Sequence, residues 1–188
     1  SSKPRVQVDI PGAKGISVLV FAGPDMNSAL RRYNLFAGGG SMPALWGLGM
    51  KFRLKTDSKQ EDAYRIAHYL RNKHIPCDVI GLEPKWQTRA YSCSYMWNNE
   101  HFPNPNELIA RTRAMGYKLN LWEHAFVHPS SPLHPLLKPK SGSHLVWNGL
   151  VPDFADSATQ HIFAAYHDSC FVQKGIAAFK MDECDNSN

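Results

Sequence analysis

From Pro43 onward, short apolar runs alternate with helix-patterned stretches, and this alternation restricts the possible fold more than any other feature. Residues 45–54 predict a first strand. Ser58 with Glu61 makes a capping-box pair, and Tyr64, Ala67 and Leu70 form a helical stripe that runs to His74. Residues 77–82 predict a second strand, ending on Glu83. Asn104, Pro105 and Glu107 open the next helix with a cap, a first-turn proline and a box acid, and Gly116 closes it. A third strand over 117–121 runs into Trp122, Glu123 and His124. Asp156 or Ser157 then caps a helix to Lys174, Gly175 stops it, and 176–181 predict the fourth strand. Long loops follow the second and third strands, over 84–103 and up to Val151.

Four consecutive strand–helix units indicate parallel α/β architecture. No GxGxxG follows the first strand, which argues against a dinucleotide-binding sheet. Long loops after strands suit a (β/α)8 TIM barrel, whose sites are built from them. Four strands make about half of one, so the expectation is a partial barrel over residues 41–188. Half a barrel leaves a sheet edge unpaired, and the piece alone is expected to associate or dissolve poorly. Residues 1–40 read differently. Strand-like runs at 6–10 and 16–21 flank a turn at 11–15, a helix is expected over 26–36 with Asp25 or Pro24 near its start, and glycines follow at 38–40. This predicts the tail of an N-terminal β-domain and a linker. No Lys-Ser/Thr follows the glycines, so they are not a phosphate loop.

Composition narrows the function classes. Hydrophobic residues are 43% and charged residues 20% of the 188, the balance of a globular chain. The net charge of +5 is spread over scattered lysines and arginines with no nucleic-acid motif, so a solvated surface is the better reading. No apolar run reaches the length of a membrane span. Cys77, Cys93, Cys170 and Cys184 lack CxxC spacing, so neither a disulfide framework nor zinc ligation is supported. His124, His128, His134 and His144 lack HxH or HExxH spacing, and the acids at 182–185 fail the calcium-loop template. Neither metal nor cofactor is expected.

The candidate chemistry gathers at strand ends. Lys180 and Asp182 are two residues apart on one strand and so share a face. A nearby cation favours the ionised carboxylate that a nucleophile needs; a structural Lys–Asp pair is the competing reading. Glu83 and Glu123 end the second and third strands and suit sugar hydroxyls, or else loop and cap hydrogen bonds. Asp185, in the same acidic cluster as Asp182, is a further sugar-contacting candidate. Trp86, Trp97, Trp122 and Trp147 lie in or beside the long loops and suit a carbohydrate pocket, although at least two of the four are expected simply to pack.

A family resemblance runs through these positions in order. Ser41-Met42-Pro43-Ala44-Leu45-Trp46-Gly47-Leu48-Gly49 resembles the approach to the catalytic barrel of glycoside hydrolase family 31. Ile75-Pro76-Cys77-Asp78-Val79-Ile80, Phe102-Pro103-Asn104-Pro105 and Pro152-Asp153-Phe154 are similar to its later motifs, and 175–182 to the strand that delivers its aspartate nucleophile. The resemblance implies a retaining α-glycosidase that works through a covalent glycosyl-enzyme on Asp182. Glu83 and Lys180 would line the subsite of the sugar under attack, with Trp122 as its wall. The acid/base would be an aspartate downstream, beyond this chain, leaving these residues by themselves inactive or only carbohydrate-binding. The segment Lys180-Met181-Asp182 departs from the commoner Trp-x-Asp and is similar to that of related α-galactosidase families. Galacto-configured substrates, N-acetylgalactosamine included, therefore stand beside gluco-configured ones.

Overall fold

The computed structural model describes residues 14–186, and the strand expected over 6–10 lies outside them. The chain divides into two compact units, Ser1–Met42 and Pro43–Asn188. Within the first, helix α1 (Met26–Phe36) forms where expected, because the Asp25 carboxylate accepts from the Ser28 N–H at 2.8 Å. Phe21 packs its ring on Tyr33 and Phe36. The strand expected over 16–21 does not form: these residues have no ladder partner among those described and are largely exposed.

The second unit is built on a sheet of four strands, β1 (Lys51–Arg53), β2 (Val79–Leu82), β3 (Lys118–Glu123) and β6 (Ile176–Met181). Every pairing is parallel, and the strands lie in the order β1-β2-β3-β6. Doubly wound sheets reverse their strand order partway, whereas a barrel adds each strand beside the last. The sheet is therefore a partial barrel, as expected.

Between β1 and β2 lies α2 (Gln60–Asn72), and between β2 and β3 lies α3 (Pro105–Ala114). The short α4 (His134–Leu137), the antiparallel hairpin β4 (Ser141–Val146) and β5 (Gly149–Pro152), and α5 (Ser157–His167) separate β3 from β6. Helix α2 buries Ala63, Tyr64, Ala67 and Leu70, and α3 buries Leu108, Ile109 and Thr112. They pack in one core with Ile80, Leu82, Leu119 and Leu121 of the sheet. Each fully buried leucine or isoleucine contributes about 1.5–3 kcal/mol of transfer free energy.

Several boundaries move. The first strand is only β1, because Leu45–Leu48 close a 3-10 turn and pairing starts where Asp78 N–H meets the Met50 carbonyl. The cap of α2 sits one residue later than expected, with the Asp62 carboxylate accepting from Lys59 N–H at 2.9 Å. Strand β2 starts at Val79 rather than Cys77. Helix α5 is capped by Asp156 and gives way after His167 to a wider π-type turn, Asp168–Val172. The loop expected up to Val151 holds the hairpin, whose two central residues, Trp147 and Asn148, are both left-handed (φ 48° and 60°).

Strand alternation then sorts the side chains. On one face of β3, Leu119 and Leu121 join the helix-side core; on the other, Asn120 meets Lys51 and Trp122 meets Asp182. Gly81 of β2 belongs to the second face, where a Cβ would come within 2.8 Å of Lys51 Cε. Its bare backbone lets the lysine reach across to Asn120.

Candidate active site

The second face of the sheet, at the C-terminal ends of its strands, carries a line of alternating charge. Arg53, two residues beyond Lys51, places Nε 3.6 Å from Glu83 Oε2. Glu83 is almost fully buried and lies 3.9 Å from Lys180 Nζ. Lys180 Nζ in turn sits 2.7 Å from Asp182 Oδ2. The backbone explains the convergence: Glu83 follows β2, Lys180 is in β6, and Trp122↔Lys180 are register partners.

Asp182 is held from several directions. Its N–H donates to the Glu123 carbonyl at 2.8 Å, extending the β3–β6 ladder one residue beyond β6. Lys180 Nζ and Trp122 Nε1–H both donate to Oδ2, at 2.7 and 2.8 Å, and the Glu183 N–H reaches Oδ1 at 3.1 Å. The Lys180 and then the Trp122 hydrogen bond hold the carboxyl below its ordinary pKa. The side chain keeps 38% of its surface exposed. An ionised, donor-oriented and accessible carboxylate can act as a nucleophile or an electrostatic stabiliser. Lys51, beside Asn120, is pushed down from the usual lysine range by desolvation of its ammonium, with Glu83 opposing the shift.

Aromatic rings flank this line. Tyr91, in the loop after β2, packs at 5.5 Å from Trp122 and 5.0 Å from Trp147, centroid to centroid. Trp147 also touches His124 and Phe126, at 5.1 and 5.6 Å, and these contacts hold its left-handed backbone. The other two tryptophans are packing. Trp86 is fully buried, its Nε1–H donating to the Trp122 carbonyl at 2.6 Å, and Trp97 lies against it at 5.1 Å.

Glu83, Trp122, Lys180 and Asp182 thus come together. Glu123 does not. It falls on the helix-facing side with Leu119 and Leu121, is 1% exposed, and meets His167 Nε2 of α5 at 3.2 Å. His167 Nδ1 lies 2.9 Å from the Phe163 carbonyl, so both ring nitrogens face oxygens, a structural arrangement away from the site. Asp185 lies exposed on the turn Cys184–Asn186. Lys51, Arg53 and Tyr91 also stand at the site, beyond the residues expected there. The alternation Lys51-Phe52-Arg53 carried a signal for the first two, since a period of two puts both cations on one face. Nothing local singled out Tyr91.

Residues 40–188 match the family model described as the glycosyl hydrolases family 31 TIM-barrel domain. Alpha-xylosidase XylQ of Lactiplantibacillus pentosus is 28% identical over 195 residues, which cover 95% of this chain and 25% of that protein. An alpha-xylosidase of Emericella nidulans is 23% identical over 192 residues, covering 95% of this chain and 24% of its own. The chain thus spans about a quarter of the length of these relatives. The solved alpha-xylosidase of Xanthomonas citri aligns with a TM-score of 0.70 at 18% identity, over 83% of this chain and 18% of that one. A Flavobacterium johnsoniae dextranase complexed with glucose aligns at 0.68 and 20% identity, over 84% and 21%.

Proposed function

The chain belongs to glycosyl hydrolase family 31, and from that premise we propose that it carries the nucleophile of a retaining α-glycosidase. In this reading Asp182 attacks the anomeric carbon, the bond to the leaving oxygen breaks, and a glycosyl-enzyme ester forms that water later hydrolyses. The proton for the leaving oxygen is assigned to no described residue; the family resemblance places its donor on an aspartate of the full-length enzyme. Lys180 keeps Asp182 ionised, Glu83 holds Lys180 and Arg53 in place, and Trp122 offers both a hydrogen bond and a ring wall. Residues 41–188 are read as the first half of the catalytic barrel, and 1–40 as what remains of an N-terminal β-domain with its linker.

One observation carries the proposal. At the C-terminal tip of a parallel barrel strand, a part-exposed carboxylate oxygen receives both an ammonium and an indole N–H within 2.8 Å. Barrel enzymes keep their reacting groups at that end. Treatment of the full-length enzyme with fluorinated α-glycosyl fluorides, followed by peptide mapping, is expected to label Asp182 and to leave an Asp182→Asn variant unlabelled. Label on Glu183 or Asp185 instead would refute the assignment.

For the substrate, relatives named alpha-xylosidase and alpha-glucosidase favour a xylo- or gluco-configured terminal sugar over a galacto-configured one. Aryl α-xyloside, α-glucoside, α-galactoside and N-acetyl-α-galactosaminide, compared by kcat/KM, separate these. Faster turnover of either galacto-configured substrate would reverse the preference.

A further inference from the structure

The Trp122 ring is only 2% exposed, so the wall it offers a sugar is faced by other rings. Tyr91 packs against it, with centroids 5.5 Å apart, and keeps 51% of its own surface exposed. Beside Tyr91 stands the part-exposed Trp147, at 5.0 Å and with the two ring planes at 87°. Two rings at a right angle make a corner, one face to stack a flat apolar surface and a second ring to bound it. The corner is preorganised. Trp147 sits in the left-handed turn of the β4–β5 hairpin, braced by His124 and Phe126. Tyr91 follows β2 and the hairpin follows β3, so loops after two neighbouring strands supply the pair.

The site thus has two chemistries. Glu83, Lys180 and Asp182 at the strand ends suit hydroxyl groups, whereas the Tyr91–Trp147 corner suits the C–H face of a sugar ring. Attack by Asp182 from a strand tip puts the departing oxygen on the far side of the anomeric carbon, towards the loops. We infer that Tyr91 and Trp147 form the platform for the leaving group, and that this group is a second pyranose stacked on Tyr91 and bounded by Trp147. The inference rests on Asp182 being the nucleophile, and it makes the substrate an α-linked oligosaccharide.

The test compares two kinds of substrate in the full-length enzyme. Isomaltose and its α-xylosyl-glucose counterpart lose a sugar ring, whereas α-glucosyl and α-xylosyl fluoride lose only fluoride, which has no ring to stack. The readout is kcat/KM for the disaccharide divided by that for the fluoride of the same sugar. Tyr91→Ala is expected to lower this ratio on the order of tenfold, the worth of one aromatic contact. Tyr91→Phe keeps the ring and should hold the ratio near that of the wild type. Trp147→Ala should lower it similarly; Trp147→Phe, which keeps a ring to brace the turn, should lower it less. Equal losses on both kinds of substrate in Tyr91→Ala would overturn the platform, as would an unchanged ratio. Tyr91→Phe losing as much as Tyr91→Ala would overturn it too, since the hydroxyl and not the ring would then be at work. With fluorinated α-glycosyl fluorides, wild-type label on Asp182 leaves the nucleophile standing whichever way the platform falls; label on another residue would remove both.

Discussion

Acid should unfold this protein partly through one histidine. His124 is fully buried; its Nδ1 accepts the Phe126 N–H at 3.1 Å, and its Nε2 lies 2.8 Å from the Ala90 carbonyl oxygen. Those partners assign a neutral ring with the proton on Nε2. Burial pushes the imidazole from 6.5 down to about 4, against weaker upward pulls from the Ala90 hydrogen bond and the Asp182 charge. In the unfolded chain the ring titrates near ~6.5. Between those two values the unfolded state binds the extra proton, so stability rises with pH there. The contribution is complete above pH ~6.5, fades as pH falls towards ~4, and is gone below that. A gap of roughly 2.5 units, at about 1.4 kcal/mol per unit, makes it about 3 kcal/mol. Protonation also sets a second N–H against that of Phe126. The assay is urea unfolding across this pH range for the wild type and His124→Gln, whose amide can still donate toward Ala90. Wild type is expected to lose about 3 kcal/mol more than the variant on acidification. Parallel stability curves, or an NMR titration of His124 centred near ~6.5, would refute the reasoning.

Other substitutions follow from the same geometry. Trp122→Phe removes an indole donor from Asp182 Oδ2 at 2.8 Å and should raise the acidic limb of covalent trapping towards the ordinary carboxylate value. This is the expected sign, because an acid whose pKa is lowered stays ionised to lower pH until its donors are lost. Glu123→Ala leaves the buried His167 Nε2 without its partner and should cost about 1–3 kcal/mol by urea unfolding; replacing both residues with leucine should recover much of that loss. Gly175→Ala puts a side chain at φ 110°, with its Cβ 2.8 Å from Ile109 Cγ2, and should lower stability by about 1–3 kcal/mol in thermal melts.

The helix α1 and the strand β6 were legible to the residue because their signals are local: an Asp25 cap in one case, a glycine stop and an apolar run in the other. The first strand is shorter than its apolar run because apolar content at 45–48 does not distinguish a 3-10 turn, here containing Gly47 and followed by Gly49, from a strand. The hairpin turns on Trp147-Asn148, one position before the Asn-Gly pair that usually marks such turns, so the sequence there reads as one long loop. At the site, Lys180 with Asp182 could be read from spacing along a single strand. Glu123 could not: its identity suited the site, but its side was decided by the phase of β3. Tyr91 reaches Trp122 and Trp147 across 31 and 56 positions of sequence, and no local pattern encodes such a meeting.

The division of labour along β3 has an evolutionary reading. Even-numbered positions, Asn120 and Trp122, face the charged line, while odd-numbered Leu119, Leu121 and Glu123 hold the helices. Selection for a new sugar can therefore act on one set of codons while selection for folding acts on the other, interleaved within six residues. A library that randomises only the even positions should keep a larger share of folded members than one that randomises the odd positions.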